Sequence, residues 1–482
     1  SKFQVVKGTD KDDWFDIERM PNGETKVTVY RIKKGKKADV FHQKTYTRDH
    51  TKEIWIYGLD DDDTFVVKGT GNRAVKIRLI GGQNKDTYDI KNGKKVFIYD
   101  YKSKKSEFVT NKGKKRLTDN YDTNVYDYKK LKNNERQFLP SIGSNPDDGL
   151  KIGAAHSYIT HGFKRNPFTY KHTIDGAFYL ATSGFELNYN GEFANVIGKA
   201  NVGIHASFTS PNYATNFFGY GNESVNLDPD NDTIDLDFNR IKMRQLRFGT
   251  SLLWKGDLGS LVKLSTTFEA IEVNKTPGRF VDLPSLFPLI IFEHQNFLGS
   301  ELSYHFKNAD NESFPTLGME TTIELGYRTN LDESTTYGYL KPSLSFDYKI
   351  TNNGRLVLAT KLGGQLNFGD DFEFYQAARL GAKNGLRGYR FDRFIGNSSF
   401  YQSSDIRLNL KKVKTGLVPL TIGIYGGFDY GKVWADNLPT GDWNTSTGGG
   451  IFFDAAELLT ARISAFNSDD GMRIAFGVGF GF

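Results

Sequence analysis

The residues best placed to do chemistry in this chain are one arginine and two aspartates near its C-terminal end. Arg387 lies in GLRGYRF, 385–391, a polar segment between two strand-like runs. Its guanidinium is planar, permanently charged and able to hold two carboxylates at once. Gly385 and Gly388 flank it and open backbone conformations closed to other residues, and Tyr389 follows. Alone, such a triplet reads as a solvated turn. Two acids downstream change that reading. In the run 399–412, Ile406, Leu408 and Leu410 share one face, and Asp405, Arg407, Asn409 and Lys411 share the other. In 417–435, Ile422, Ile424, Phe428 and Tyr430 alternate with Thr421, Gly423, Tyr425, Gly427 and Asp429. The period of two sets Asp405 and Asp429 on the less apolar faces of their strands. A loop folded against those faces would bring Arg387 to both acids. The chemistry on offer is an ion-pair lock.

The elements that must position this lock are strands. From Gly149 to the last residue the alternating pattern is continuous, in about sixteen runs that include 149–162, 372–383, 399–412 and 471–482. An even number suits a closed bacterial barrel. In the last run Ile474, Phe476, Val478, Phe480 and Phe482 fall on one face and Arg473, Ala475, Gly477, Gly479 and Gly481 on the other. A membrane barrel would show the first face to lipid. The 281–292 run is apolar and interrupted by proline, and reads as a short helix on a barrel rim or as part of a strand. Aromatics make up 14% of the chain, with 38 Phe, 25 Tyr and 50 Gly, yet no apolar run approaches the roughly 20 residues of a membrane helix.

Ahead of the barrel the texture differs. Residues 1–111 are short strands broken by Gly, Asp and Asn, with an internal echo: GTDKDDWFDI (8–17), GLDDDDTFVV (58–67) and GGQNKDTYDI (81–90). Each has a Gly, a polar run, an Asp and then an aromatic two residues on, as when a β-solenoid or a stacked hairpin starts a new layer. The fold class expected is therefore all-β: a small β-solenoid-like or β-rich domain, a linker over 112–147, and a 16-stranded transmembrane barrel over 148–482 with an inward-folded loop at 384–398. The third echo resembles the calcium-binding nonapeptide of RTX-type solenoids, with Asn84 where that pattern has glycine. Asp60, Asp62, Asp63 and Asp86 are the calcium candidates, weighed against a plain solvated acidic turn, since calcium needs six or more oxygens from adjoining turns.

Several classes are disfavoured. There is no cysteine, so neither a disulfide framework nor a thiolate site. The eight histidines form no close metal-ligand motif, and no nucleophile elbow or P-loop is present. No enzyme and no cofactor are expected within these residues. A formal net charge of +6 is small for 482 residues and does not point to nucleic acid.

Residues of about 148–482 resemble the barrel of the BamA/TamA family of outer-membrane assembly factors, also called the bacterial surface antigen family. The resemblance rests on GLRGYRF (385–391), SSDIRLNL (403–410), YGGFDYGKVW (425–434), GGGIFF (448–453) and the terminal AFGVGFGF (475–482), which follow the family's order. It implies a loop tucked into the lumen with Arg387, Gly388 and Tyr389 locked on Asp405 and Asp429. It also implies that Phe476, Phe480 and Phe482 belong to a C-terminal signal read by the cell's barrel-assembly machinery. Residues 1–147 do not resemble the POTRA modules that precede the barrel in that family. A solenoid-like segment there is similar to the Bacteroidota branch, in which a metallophosphoesterase precedes the barrel. The chain opens on SKFQVV without a leader pattern, so on this reading it is a mature product or a fragment.

Three functions follow as expectations. The first is assembly, translocation or display of outer-membrane proteins through a labile seam between the first and last strands, placed at 149–162 and 471–482. The second is an anchor for an attached domain, and the third, disfavoured by the loop, a passive pore. The partners expected are outer-membrane lipid, the assembly machinery, and client or accessory outer-membrane proteins, with the N-terminal domain in the periplasm.

Overall fold

A computed structural model describes residues 3–71, 74–130, 132–163, 168–225, 237–283, 287, 289–369, 371–414, 416, 419–455 and 459–479. It separates into two compact units, Ser1–Lys132 and Asn133–Phe482.

The first unit is a two-sheet β-solenoid. One sheet stacks Phe3–Lys7, Glu53–Leu59, Lys76–Gly82, Val96–Tyr99 and Lys114–Lys115 in parallel. The other stacks Glu107–Asn111, Thr87–Ile90, Thr64–Gly69 and Asp13–Arg19 in parallel, and the antiparallel pair Thr25–Lys33 and Lys36–Tyr46 extends it. Each aromatic of the sequence echo stacks on the next: Phe15 on Phe65 at 4.7 Å between ring centroids, Phe65 on Tyr88 at 5.2 Å, and Tyr88 on Phe108 at 5.1 Å. With Ile17, Val67, Ile77 and Leu79 they form the core.

The aspartate before each aromatic is buried with it. Asp63 Oδ1 accepts the backbone N–H of Asp13 at 2.8 Å, and Asp86 Oδ1 accepts that of Asp63 at 3.0 Å. Asp100 closes the row, accepting from the Tyr88 and Ser106 hydroxyls. The calcium candidates are thus divided. Asp63 and Asp86 form a ladder inside the core, while Asp60 and Asp62 stay exposed and accept from Asn84 Nδ2 and the Lys85 backbone N–H. Among the described residues no group of three or more His, Asp or Glu side chains could hold a metal ion. Solenoid turns place equivalent residues one above another, and a backbone N–H of the preceding layer takes up one oxygen each of Asp63 and Asp86.

The ladder gives this unit a pH dependence. Burial, and then the neighbouring Asp86, push Asp63 up to about 10. Burial, and then Asp100, push Asp86 up to about 8. In the unfolded chain such carboxyls ionise near ~4. Their stabilisation is complete below that value and is lost as pH rises through about 8 and about 10. In that window each raised group changes stability by up to roughly 1.4 kcal/mol per pH unit. Corrected for intrinsic rates, amide exchange in Thr64–Gly69 and Thr87–Ile90 is expected to slow on going from pH 8 to pH 5. Faster corrected exchange at pH 5 would contradict the ladder.

The second unit is a closed barrel of sixteen antiparallel strands. Outward positions are apolar and exposed around the ring, for example Ile152, Ile174, Phe248, Leu325, Phe428 and Ile463. Polar and charged side chains fill the inside, such as Glu269 held between Arg247 and Arg328. The expected run of strands needs two corrections. The first barrel strand is Glu135–Asn145, inside the span read as a linker, and it pairs in register with Gly149–Thr160. Pro140 interrupts its pattern, which a strand at a seam tolerates because one edge is weakly paired. The 372–383 run is not a barrel strand. It belongs to the connection 369–397, where a short pair, Ala378–Leu380 with Phe394–Gly396, forms its own two-stranded sheet and takes no place in the barrel ladder. The two errors cancel in the count of sixteen.

Long connections alternate with short ones, so they gather at one end. There the connections 210–239, 274–294 and 369–397 share an apolar core of Phe217, Val281, Ile291, Phe374, Ala377 and Ile395. The 281–292 run supplies the 3-10 turns Phe280–Asp282 and Leu289–Phe292 to this cap. Below it lies a chamber of about 300 Å³ lined by Arg247, Glu269, Arg328, Tyr339, Lys341 and Tyr401, among others.

Candidate functional site

The connection 369–397 drops from the cap against the inner wall, and its sequence allows the close approach. A Cβ on Gly388 would lie 2.6 Å from Ser446 Cβ, so only glycine lets the chain lie flat on that strand. Gly385 has φ +91° beside Tyr401, whose ring leaves no room for a side chain there. Leu386, Tyr389 and Phe394 then pack with Leu380 and Val433 in an apolar cluster.

Between these glycines Arg387 reaches the wall. Strand Ser398–Lys414 carries Asp405, and its neighbour Pro419–Trp434 carries Asp429. Arg387 Nη1 stands 2.7 Å from Asp405 Oδ1, and Nη2 2.6 Å from Asp429 Oδ1. Arg387 Nε and the Arg387 backbone N–H also donate to Asp429. The Ser403 and Ser446 hydroxyls complete the set at 2.5 and 2.8 Å. Asp429 is 0% exposed, so each of its oxygens is served by protein donors. The guanidinium lies 4.2 Å from the centroid of the Phe466 ring, adding a cation–π contact. The arrangement holds the loop on the wall.

The structure thus brings Arg387, Gly388, Asp405 and Asp429 together. Tyr389 points elsewhere: its ring packs edge-on against Phe394, and its hydroxyl reaches Asp469 in the last hairpin at 3.5 Å. Phe476 is on the outward face of the last strand and exposed. Phe480 and Phe482 lie outside the described residues.

Sequence reasoning missed the rest of the site. Arg393 binds Asp470 at 2.6 Å, and Ser468 Oγ donates to the Gly388 carbonyl, so the loop also grips the last hairpin. Arg390, within the same seven-residue motif, binds Asp147 in the first hairpin at 3.0 Å. Asp147, Asp469 and Asp470 read as turn residues, and periodicity carries no signal that a distant loop reaches them.

The seam lies beside the first strand identified above. Gly471–Gly479 pairs along its whole length with Leu459–Ser468. On its other side, within the described residues, it meets Glu135–Asn145 at three positions, Ile142↔Val478, Gly143↔Gly477 and Ser144↔Phe476. The expected seam strand 149–162 is the second strand, not the first, because Glu135–Asn145 intervenes.

No protein-family model matches the sequence, and no curated protein matches it. Among solved structures, BamA from Haemophilus ducreyi lacking POTRA domains 1–3 is similar with a TM-score of 0.53 at 14% identity, over 72% of this chain and 71% of that one. CdiB from Escherichia coli gives 0.47 at 13% identity, over 71% of this chain and 63% of that one. CdiB from Acinetobacter baumannii gives 0.44 at 11%, over 73% and 60%. At such identities the likeness to BamA is one of fold, and the chain carries the closed sixteen-stranded architecture of an outer-membrane barrel.

Proposed function

We propose that this barrel acts in the assembly, translocation or display of outer-membrane proteins, by parting the seam between Glu135–Asn145 and Gly471–Gly479 to receive client strands. The observation that carries the reading is the seam, where the described residues pair at three positions, against eleven between Glu135–Asn145 and the second strand and nine between the last two strands. A strand edge with unmade ladder bonds is a template for another strand. Gly477 and Gly479 give the last strand little side-chain packing on its inner face. The fold shared with BamA and the lock on Arg387 support the same reading. The apolar cap and the inward loop weigh against a passive pore.

In this proposal the outward apolar band meets outer-membrane lipid, the capped end faces outward from the cell, and the solenoid unit lies in the periplasm. Phe476, Phe480 and Phe482 form the signal for insertion by the cell's assembly machinery. The compact solenoid favours a second reading, in which the barrel anchors an attached domain. The finer placement in the Bacteroidota branch rests on that solenoid alone.

A photo-cross-linking residue at Phe138, exposed on the first strand, tests the choice. Capture of nascent outer-membrane proteins there, and not from Phe248 on the far wall, is the expected result. Equal capture at both positions, or none at either, would leave the anchor as the better reading.

A further inference from the structure

The seam ladder stops at Ser144↔Phe476, and just beyond it one carboxylate takes over. Asp147 lies in the turn after the first strand and is 2% exposed. Its Oδ2 stands 3.2 Å from Arg473 Nη2, on the inner face of the last strand. The contact crosses the seam in the stretch of the last strand, 471–475, that has no ladder partner on that side among the described residues. Asp147 Oδ1 accepts from Arg390 Nε at 3.0 Å and from Asn216 Nδ2 at 2.7 Å. The Phe391 backbone N–H donates to Oδ2 at 3.2 Å. Four elements therefore meet on one buried side chain: the first hairpin, the last strand, the inward loop and the cap. On the far side of the seam the same loop holds Asp470 through Arg393.

We propose that Asp147 is the latch of the seam. The loop straddles the joint from inside, with Arg390 on the first hairpin and Arg393 on the last, while Arg473 ties the last strand to the same carboxylate. The Arg387 lock belongs to a different place, since Asp405 and Asp429 sit on strands away from the seam. The two ion-pair centres divide the work. Arg387 keeps the loop on the wall, and Asp147 decides whether the two seam strands stay together. Parting them breaks the Arg473 contact first, because its two ends lie on opposite sides of the joint. An unpaired buried arginine is costly, so the open seam favours a partner that brings carboxylate or backbone carbonyl groups to Arg473. The latch deepens the seam reading above and rests on it for its purpose.

The test is amide exchange on the whole chain in lipid nanodiscs. Asp147→Asn keeps shape and removes charge. Exchange in Glu135–Asn145 and Gly471–Gly479 is expected to rise at least tenfold, with Ser398–Lys414 and Pro419–Trp434 unchanged as internal controls. A disulfide between cysteines placed at Ile142 and Val478 should suppress the rise. Unchanged exchange at the seam, or a rise shared by the control strands, overturns the latch. If Asp147→Asn does not fold, Arg473→Gln cuts only the last-strand arm, and a rise of several-fold is expected; no rise there overturns the proposal equally. The outcome is separable from the function. Faster seam exchange with no client captured at Phe138 keeps the latch and removes the assembly reading. Client capture with unchanged exchange does the reverse.

Discussion

Arg387→Ala should destabilise the barrel by about 3–5 kcal/mol, the magnitude for removing one partner of a desolvated ion pair. Asp429 is fully buried and would be left as an anion with two serine hydroxyls and a backbone N–H. The loss of the Phe466 contact adds to this. The expected readout is a clear drop in the temperature at which the folded band disappears on gels, together with a lower urea midpoint. Arg387→Lys should fall between, because an ammonium supplies neither the fork for two carboxylates nor the flat face for the ring. Asp429→Asn in the Arg387→Ala background should recover part of the loss, since the orphaned charge is then gone. The control is Arg244→Ala, whose pair with Glu272 is exposed at both ends and should cost under about 1 kcal/mol. An Arg387→Ala barrel as heat-resistant as the parent would make the lock peripheral.

What the sequence showed and hid divides along physical lines. Strand faces were legible because a period of two survives in each strand alone: Asp405 and Asp429 face inward, and Ile406, Phe428 and Phe476 outward, as the alternation requires. The alternation put Asp405 and Asp429 on a common interior, and the family resemblance implied that Arg387 binds them, as it does. The solenoid was legible through its echo, whose 23-residue offset is the spacing of Asp63 and Asp86 in the ladder. Their burial was not, because a Gly-Asp turn looks the same in sequence whether its carboxylate faces water or core.

The first strand was hidden by Pro140 and by charged neighbours at Glu135 and Arg136. The 372–383 run imitated a strand because its apolar residues are buried by other partners: Phe374 and Ala377 in the cap, and Leu380 with Leu386, Tyr389, Phe394 and Val433. The latch was least legible. Arg390 and Arg473 lie 243 and 326 residues from Asp147 in the chain, and ring closure alone brings them together.

The second large effect concerns the seam as a moving part. The chain has no cysteine, so a pair introduced at Ile142 and Val478 can react only with itself. Directly paired residues of antiparallel strands stand close enough for a disulfide. Tethering them leaves the lock, the cap and the outer face in place and removes one freedom, the parting of the first and last strands.

The measurement that tests the account most directly is therefore insertion of outer-membrane proteins into lipid vesicles carrying the Ile142→Cys/Val478→Cys barrel, oxidised and then reduced. The account predicts insertion at least tenfold slower when oxidised, recovery on reduction, and no redox effect with either single cysteine. A fully oxidised barrel that supports insertion at the parent rate would contradict the moving seam.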